Sequence, residues 1–265
     1  LGTLALAATT AAHAWPRVVE FSRDTTGREL IENVREVDEP SPVLVAPWGT
    51  DYFALAYGRL VTGEIAHARL VTPDDPEARG ALERGGGLYL PKDLFHVFPL
   101  DRWEERWGRL CLSAAGWRLV HARSAPCDGP APAREPIAMM GEEVALLDAR
   151  ATADARGRTV HLSLRWRAVR RPSADYSVFV HLTDQPAVDG PEDIVAQGDS
   201  VHPVFGWYPT SRWTPGEVVR EEYRVSWPPE RAPTRVVVGM YRRDPATGAF
   251  QNLGSYVLPI DAEGG

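Results

Sequence analysis

The chain has 265 residues, of which 44% are hydrophobic and 25% are charged, and its formal net charge at pH 7 is −7. This composition is typical of a globular protein and excludes an intrinsically disordered one, because a disordered chain buries too little apolar surface. The acidic balance argues against a general nucleic-acid-binding protein, which presents a basic surface to the phosphates.

The chain opens with LGTLALAATTAAHAW, an apolar run that ends at Trp15. The run is shorter than the roughly 20 residues that a membrane-spanning helix needs, and no basic residue precedes it as in a signal peptide. Two interpretations remain open: an amphipathic surface helix, or the outer end of a membrane helix that begins upstream of Leu1. Trp15-Pro16-Arg17 suits a boundary at the membrane interface.

Residues 1–124 alternate short apolar strands with helical patterns, which predicts a small α/β domain that includes the N-terminal helix. The predicted helices are TDYFALAYGRLVTG (50–63), with apolar residues at 53, 56, 57, 60 and 61 on one face, and DDPEARGALERGG. The predicted strands are PVLVAP (42–47), HARLVTP (67–73), GLYLP (87–91) and a final strand pair or extension in LSAAGWRLVHARS (112–124). Strand, helix and strand in this order predict a parallel sheet with right-handed crossovers.

A segment rich in proline and glycine follows, and then the periodicity changes from helical to alternating. We predict a linker over residues 125–141, because neither a helix nor a central strand tolerates this density of proline. Beyond it, residues 142–262 predict an antiparallel β-sandwich, immunoglobulin-like or jelly-roll-like, since no helical pattern separates the strands. The seven predicted strands lie at 144–152, 159–169, 175–184, 193–201, 217–227, 234–244 and 255–260.

The loop WGTD, directly after the first predicted strand, is one candidate ligand site. Ligands tend to bind beyond the carboxyl ends of parallel strands, which makes Trp48, Thr50 and Asp51 candidate binding residues. The alternative is that Thr50 or Asp51 caps the following helix by accepting hydrogen bonds from its free backbone N–H groups.

The stretch FGWYPTSRW (205–213) is a second candidate, because it places four aromatic residues and an arginine in one turn-rich loop. Trp207, Tyr208, Arg212 and Trp213 have the chemistry of a sugar-binding platform, in which aromatic rings stack on the sugar and a planar polar group bonds its hydroxyls. The alternative is packing: the loop runs directly into a strand, so Trp213 would cover the open end of the β-sandwich.

Catalytic and metal-binding motifs are not found in the sequence. It has no phosphate-binding glycine loop, no G-x-S-x-G elbow and no paired His or Cys motif, so we expect no catalytic residue, no metal and no cofactor. Cys111 and Cys127 are a candidate disulfide if the protein lies outside the cytoplasm, and two unpaired cysteines are the alternative.

Several segments carry a resemblance to a known family. ADYSVFVHLTD, DIVAQGDS, YPTSRWTPGEVVREEYRV and VVVGMYRRDPATGAFQNL resemble the C-terminal soluble region of large bacterial membrane glycosyltransferase-like proteins. These are similar to the dolichyl-phosphate-mannose–protein mannosyltransferase family. APWGTDYFALAYGRLV and LYLPKDLFHVFPLDRWEERWG resemble the segment just after the last membrane helix of such proteins.

The resemblance implies a membrane-tethered, extracytoplasmic (periplasmic or cell-surface) region, attached through a segment upstream of Leu1. In that family the catalytic acidic residue lies in a loop near the start of the membrane part, to which no position here corresponds. We therefore expect a non-catalytic region that positions a glycosyl acceptor or stabilises the assembly. The alternatives are a free-standing secreted carbohydrate-binding β-sandwich and a purely structural interaction domain.

Overall fold

The computed structural model describes residues 24–127, 135–186, 188, 190–244 and 246–262. The opening apolar run therefore lies outside the described residues, as does the middle of the segment predicted to be a linker. Within the described residues, no helix combines the length and the apolarity needed to cross a membrane.

The N-terminal half is a five-stranded sheet with helices packed against it. The strand order is β2-β1-β3-β5-β4, in which β1 pairs in parallel with β2 and β3. The helices are α1 (Thr26–Arg35), α2 (Thr50–Leu60), α3 (Pro76–Glu83), α4 (Leu94–Val97) and α5 (Leu100–Trp107). The strands are β1 (Val43–Val45), β2 (Arg69–Val71), β3 (Gly87–Pro91), β4 (Leu110–Ala114) and β5 (Leu119–Ser124).

The predicted parallel pairing is found for β1 with β2 and β3 but not for the final strand pair: β4 and β5 pair antiparallel with each other, and β5 pairs antiparallel with β3. The reason is the length of the connection, because only residues 115–118 join β4 to β5. Gly116 in this turn has a φ of 80°, a conformation that favours glycine. A parallel pairing needs a crossover of a dozen or more residues.

The C-terminal half consists of two sheets, with strand orders β10-β9-β12-β13 and β11-β8-β7-β14, and β6 also pairs with β7. Each of the seven predicted strands corresponds to one observed strand, and all pairings are antiparallel except that of β14 with β7. The bounds are β6 (Ala138–Met140), β7 (Val144–Asp154), β8 (Thr159–Ala168), β9 (Ser177–Thr183), β10 (Ile194–Gln197), β11 (Val218–Ser226), β12 (Arg235–Arg243), β13 (Phe250–Pro259) and β14 (Asp261–Ala262). The chain is thus mostly β-structure with a few helices, as the sequence predicts.

One cluster of buried hydrophobic residues runs through both halves of the chain, from Val43 in β1 to Leu258 in β13. Trp166 and Trp213 are its largest fully buried side chains. A second, smaller cluster lies between α1, α2 and the sheet, around Leu30, Leu44 and Leu55. The division into two domains stays a prediction of the sequence.

Candidate functional site

A cleft of about 960 Å³ lies at the carboxyl ends of the parallel strands β1 and β2. Pro47 and Trp48 follow β1 and line one side, and the segment 72–74 follows β2 and lines the next. Because parallel strands end at the same edge of a sheet, the two loops meet there, at the place where open α/β sheets bind ligands. Residues of α3, of α5 and of the connection between α4 and α5 complete the walls.

Trp48 presents the main aromatic surface at this cleft. It is 72% exposed. Its ring stacks on Tyr52, with centroids 5.0 Å apart, and meets Phe53 edge-on at 5.7 Å. The stacking holds the indole in place while leaving much of it accessible. A supported, exposed indole is a surface on which a sugar ring can stack.

Charged side chains that line the same cleft supply hydrogen-bond donors and acceptors. Arg106 Nη1 donates to the Asp74 carboxylate, and Arg79 Nη2 donates to the Arg106 carbonyl oxygen at 2.8 Å. Arg102 Nη1 donates to Glu105 Oε2 at 3.0 Å, and both of these side chains are largely exposed. A guanidinium has five N–H donors, so each arginine keeps donors for the hydroxyl groups of a ligand.

The WGTD loop lies at the edge of this cleft, its binding role stays a prediction, and the alternative that Thr50 or Asp51 caps the helix is wrong. Trp48 lines the cleft, whereas Thr50 and Asp51 are not among the residues that line it. Neither residue is the N-cap of α2: that position is Gly49, which has no side chain to accept a capping hydrogen bond. Asp51 lies in the first turn, where a carboxylate favours the positive end of the helix dipole, and burial together with Asp93 raises the pKa of its carboxyl.

The FGWYPTSRW loop has its aromatic residues packed inward. Tyr208 and Trp213 are both fully buried. The Tyr208 hydroxyl donates to Glu217 Oε1 at 2.8 Å, and the backbone N–H of Thr214 donates to Glu217 Oε2 at 2.9 Å. Burial raises the pKa of both Tyr208 and Glu217. This arrangement favours the packing interpretation for Tyr208 and Trp213.

Trp207 and Arg212 of the same loop contact helices of the N-terminal half. The half-buried Trp207 ring lies 6.1 Å from the Phe95 ring and meets His96 edge-on at 4.6 Å. Arg212 Nη1 donates to Asp101 Oδ1 at 2.9 Å, and its Nη2 donates to the Glu104 carboxylate. Helix α5 therefore binds this loop through Asp101 and Glu104, while other residues of the same helix line the cleft.

Cys111 and Cys127 form a disulfide bond, so the paired alternative holds. Both are buried, and the bond links β4 to the segment after β5. Glu217 lies close to both sulfur atoms, but disulfide sulfurs lack the thiolate character that a metal ligand needs. The Cys127 Sγ atom lies 4.0 Å from the Tyr208 hydroxyl oxygen.

Trp48 is a candidate that the sequence indicates, whereas the arginines of the cleft are not. Arg79, Arg102 and Arg106 come from α3 and α5, and nothing in their spacing relates them to β1 or β2. Only the crossing of those helices over the strand ends brings them together. No family model matches the chain, and no significant match to a curated protein is found.

Proposed function

We propose that this chain is the non-catalytic, extracytoplasmic region of a membrane glycosyltransferase-like protein and that its cleft positions a glycan of the acceptor. The observation that carries the proposal is the exposed Trp48 indole at the carboxyl ends of two parallel strands, in a cleft that arginine and carboxylate side chains also line. An aromatic face with hydrogen-bonding groups beside it matches a sugar, which has apolar ring faces and hydroxyl groups on its edge.

Two further observations support the proposed extracytoplasmic location and the proposed β-sandwich. The disulfide between Cys111 and Cys127 fits an oxidising compartment outside the cytoplasm, since such bonds persist there and are rare in the cytosol. The two sheets of the C-terminal half share one hydrophobic core, which supports a β-sandwich of the immunoglobulin-like or jelly-roll-like kind. In this proposal the sandwich is a scaffold: its loop 205–213 binds α5 and thereby fixes one wall of the cleft.

Saturation-transfer NMR of the purified chain with gluco-, manno-, galacto- and chito-oligosaccharides tests the proposal. We expect transfer to at least one class, lost in Trp48→Ala and weakened in Arg102→Ala. Both side chains are largely exposed, so these variants keep the fold.

Trp207→Ala is the matched control, because it removes a half-buried indole that does not line the cleft. Retained binding in Trp207→Ala together with its loss in Trp48→Ala supports the cleft. The opposite pattern places the site on the 205–213 loop and supports the free-standing carbohydrate-binding module. If the folded wild-type chain binds none of the four classes, the proposed glycan site is wrong and a structural interaction domain is left.

A further inference from the structure

Helix α2 carries an apolar stripe that faces away from the protein. Phe53, Tyr57 and Leu60, together with Val61 at the C-cap, follow the i, i+4, i+7, i+8 spacing of one helical face. They are 58%, 54%, 72% and 69% exposed, respectively. We call these four residues the α2 face. Amphipathic helices of water-soluble domains normally turn such a stripe towards the core.

The stripe is not part of the hydrophobic core, because α2 packs against the rest of the protein through its opposite side. Leu55 and Gly58 are its buried residues. Gly58 lies so close to α1 that an added Cβ would come within 2.9 Å of Ile31. Of the apolar face recognised in the sequence at 53, 56, 57, 60 and 61, all but the partly buried Ala56 are therefore an outer surface. Leu55 and Gly58, which lie between the residues of the α2 face in the sequence, make the contact with the core.

The apolar surface extends beyond α2. Trp48 stacks against Tyr52 next to Phe53, and across the cleft Val97 is 69% and Phe98 is 38% exposed. Among the described residues, the remaining exposed large hydrophobic side chains belong to the C-terminal half: Ile137, Met139, Val169, Val201, Phe250 and Val257. On the N-terminal half they are thus gathered around α2 and the cleft.

We propose that the α2 face rests on a lipid bilayer, with its aromatic rings at the level of the headgroups and Leu60 and Val61 directed at the acyl chains. Trp and Tyr are enriched at this level of membrane proteins, and a helix with one apolar face can lie in the plane of the interface. The inference goes beyond the proposed function, since it assigns a membrane surface to the folded domain itself and requires no glycan.

The position at which the chain enters the fold favours a bilayer as the occupant. A Cβ at Gly27, in the first turn of α1, would lie 3.0 Å from the Cβ of Ala54, the neighbour of Phe53. The apolar run of the sequence ends at Trp15. An extended chain advances at most about 3.6 Å per residue, so residues 16–23 can separate that run from the start of α1 by no more than about 30 Å. An apolar run inserted in a membrane would therefore hold the start of α1, and α2 packed against it, within about 30 Å of the bilayer surface.

The net charge of the chain determines which lipid is suitable for a binding experiment. The four residues of the α2 face are uncharged, and the net charge of −7 disfavours an anionic surface. Vesicles of phosphatidylcholine are therefore the appropriate probe, and we expect binding that changes little with salt, because apolar burial and not charge drives it.

The experiment is a flotation assay of the complete 265-residue chain with these vesicles. The test variant is Phe53→Ser/Leu60→Ser/Val61→Ser, and the matched control is Ile137→Ser/Val201→Ser/Phe250→Ser, which removes three exposed apolar side chains from the other half. We expect the test variant to lose at least tenfold in partition coefficient, given the transfer free energy of three large apolar side chains. The control should change by less than twofold. Circular dichroism verifies that both variants fold.

Two results would overturn the inference. If the wild-type chain does not bind the vesicles, or if both variants bind as it does, the α2 face takes no part in membrane binding. The second result assigns any binding to another segment, such as the opening apolar run. Sedimentation velocity on the same samples identifies the main competing occupant: a wild-type dimer that only the test variant dissociates, without vesicle binding, assigns the face to a second copy of the chain.

Discussion

Arg212, in the 205–213 loop of the C-terminal half, donates a hydrogen bond to the carboxylate of Glu104, on helix α5 of the N-terminal half. The Glu104 side chain is only 15% exposed, and its Oε1 also accepts a hydrogen bond from the backbone N–H of Leu110 at 3.0 Å. Asp101, the second partner of Arg212, is 80% exposed. One guanidinium therefore joins the two halves through one shielded and one solvated ion pair.

We expect Arg212→Met to lower the free energy of unfolding by about 2 kcal/mol, because it leaves the shielded Glu104 carboxylate without its cation. A double-mutant cycle on urea unfolding should give a larger coupling energy for Arg212 with Glu104→Gln than for Arg212 with Asp101→Asn. Solvated pairs are worth about 0.2–1 kcal/mol. Equal coupling energies in the two cycles would contradict the assignment of Glu104 as the main partner.

Glu221 makes stability depend on pH in the direction opposite to that of most carboxylates. It is fully buried in β11, where it accepts hydrogen bonds from Trp166 Nε1 at 2.8 Å and from the Tyr223 hydroxyl. Burial raises its pKa from 4.5 to about 7. Between pH 4.5 and about pH 7, the Glu221 carboxyl has lost its proton in the unfolded chain but keeps it in the folded chain. The folded state then binds more protons, and stability falls as the pH rises.

We expect the wild type to lose stability relative to Glu221→Gln as the pH rises from 4.5 to 7, by an amount on the order of 3 kcal/mol over the full shift. Glutamine keeps an acceptor for Trp166 Nε1 and does not titrate, which makes it the matched comparison. Urea unfolding of both proteins at half-unit steps of pH gives the difference directly, since the other carboxylates are common to both. Two parallel stability curves would show that the Glu221 carboxyl is not shifted.

The strands could be predicted from the sequence because their signal is local. Val160, Leu162, Leu164 and Trp166 alternate with polar residues, and all four are fully buried in β8. The burial of Glu221 and its raised pKa could not be predicted in the same way. The sequence places it beside Glu222 and indicates only that one of the two points to solvent. Its raised pKa depends on burial by the surrounding packing, and the hydrogen bond from Trp166 Nε1, which β8 supplies through the pairing with β11, opposes that shift.

The sequence could not predict which face of α2 is exposed or which residues line the cleft, because both depend on contacts between distant segments. The stripe that contains Phe53 and Leu60 has the same period whether it faces the core or the solvent, and the fit of Gly58 against Ile31 decides which. Helix α1 is absent from the predicted elements, although Leu30, Ile31 and Val34 give it a helical pattern with Glu29 in its first turn. That pattern is the signal that would have identified it.

Lys92, the only lysine of the chain, lies between two aromatic rings that come from different halves. Its Nζ atom is 3.4 Å from the centroid of the Trp117 ring, in the turn between β4 and β5, and 4.9 Å from that of Phe205, in the aromatic loop. Cation–π attraction favours the charged form of the amine, while burial disfavours it. Burial dominates and lowers the pKa of Lys92 from 10.5 to about 8, with Asp93 opposing the change.

We expect a chain labelled with ¹³C-lysine to give one Cε resonance that titrates with a midpoint near pH 8. Asp93→Asn should move this midpoint lower, because it removes the carboxylate that favours the ammonium form, whereas Asp101→Asn, which removes an exposed carboxylate paired with Arg212, should leave it unchanged. Between pH 8 and 10.5 the unfolded chain holds the proton that the folded chain has released. The contribution of Lys92 to stability therefore increases with pH in this window. A midpoint near 10.5 would mean that the amine is solvated and that the contact between Trp117, Lys92 and Phe205 does not persist in solution.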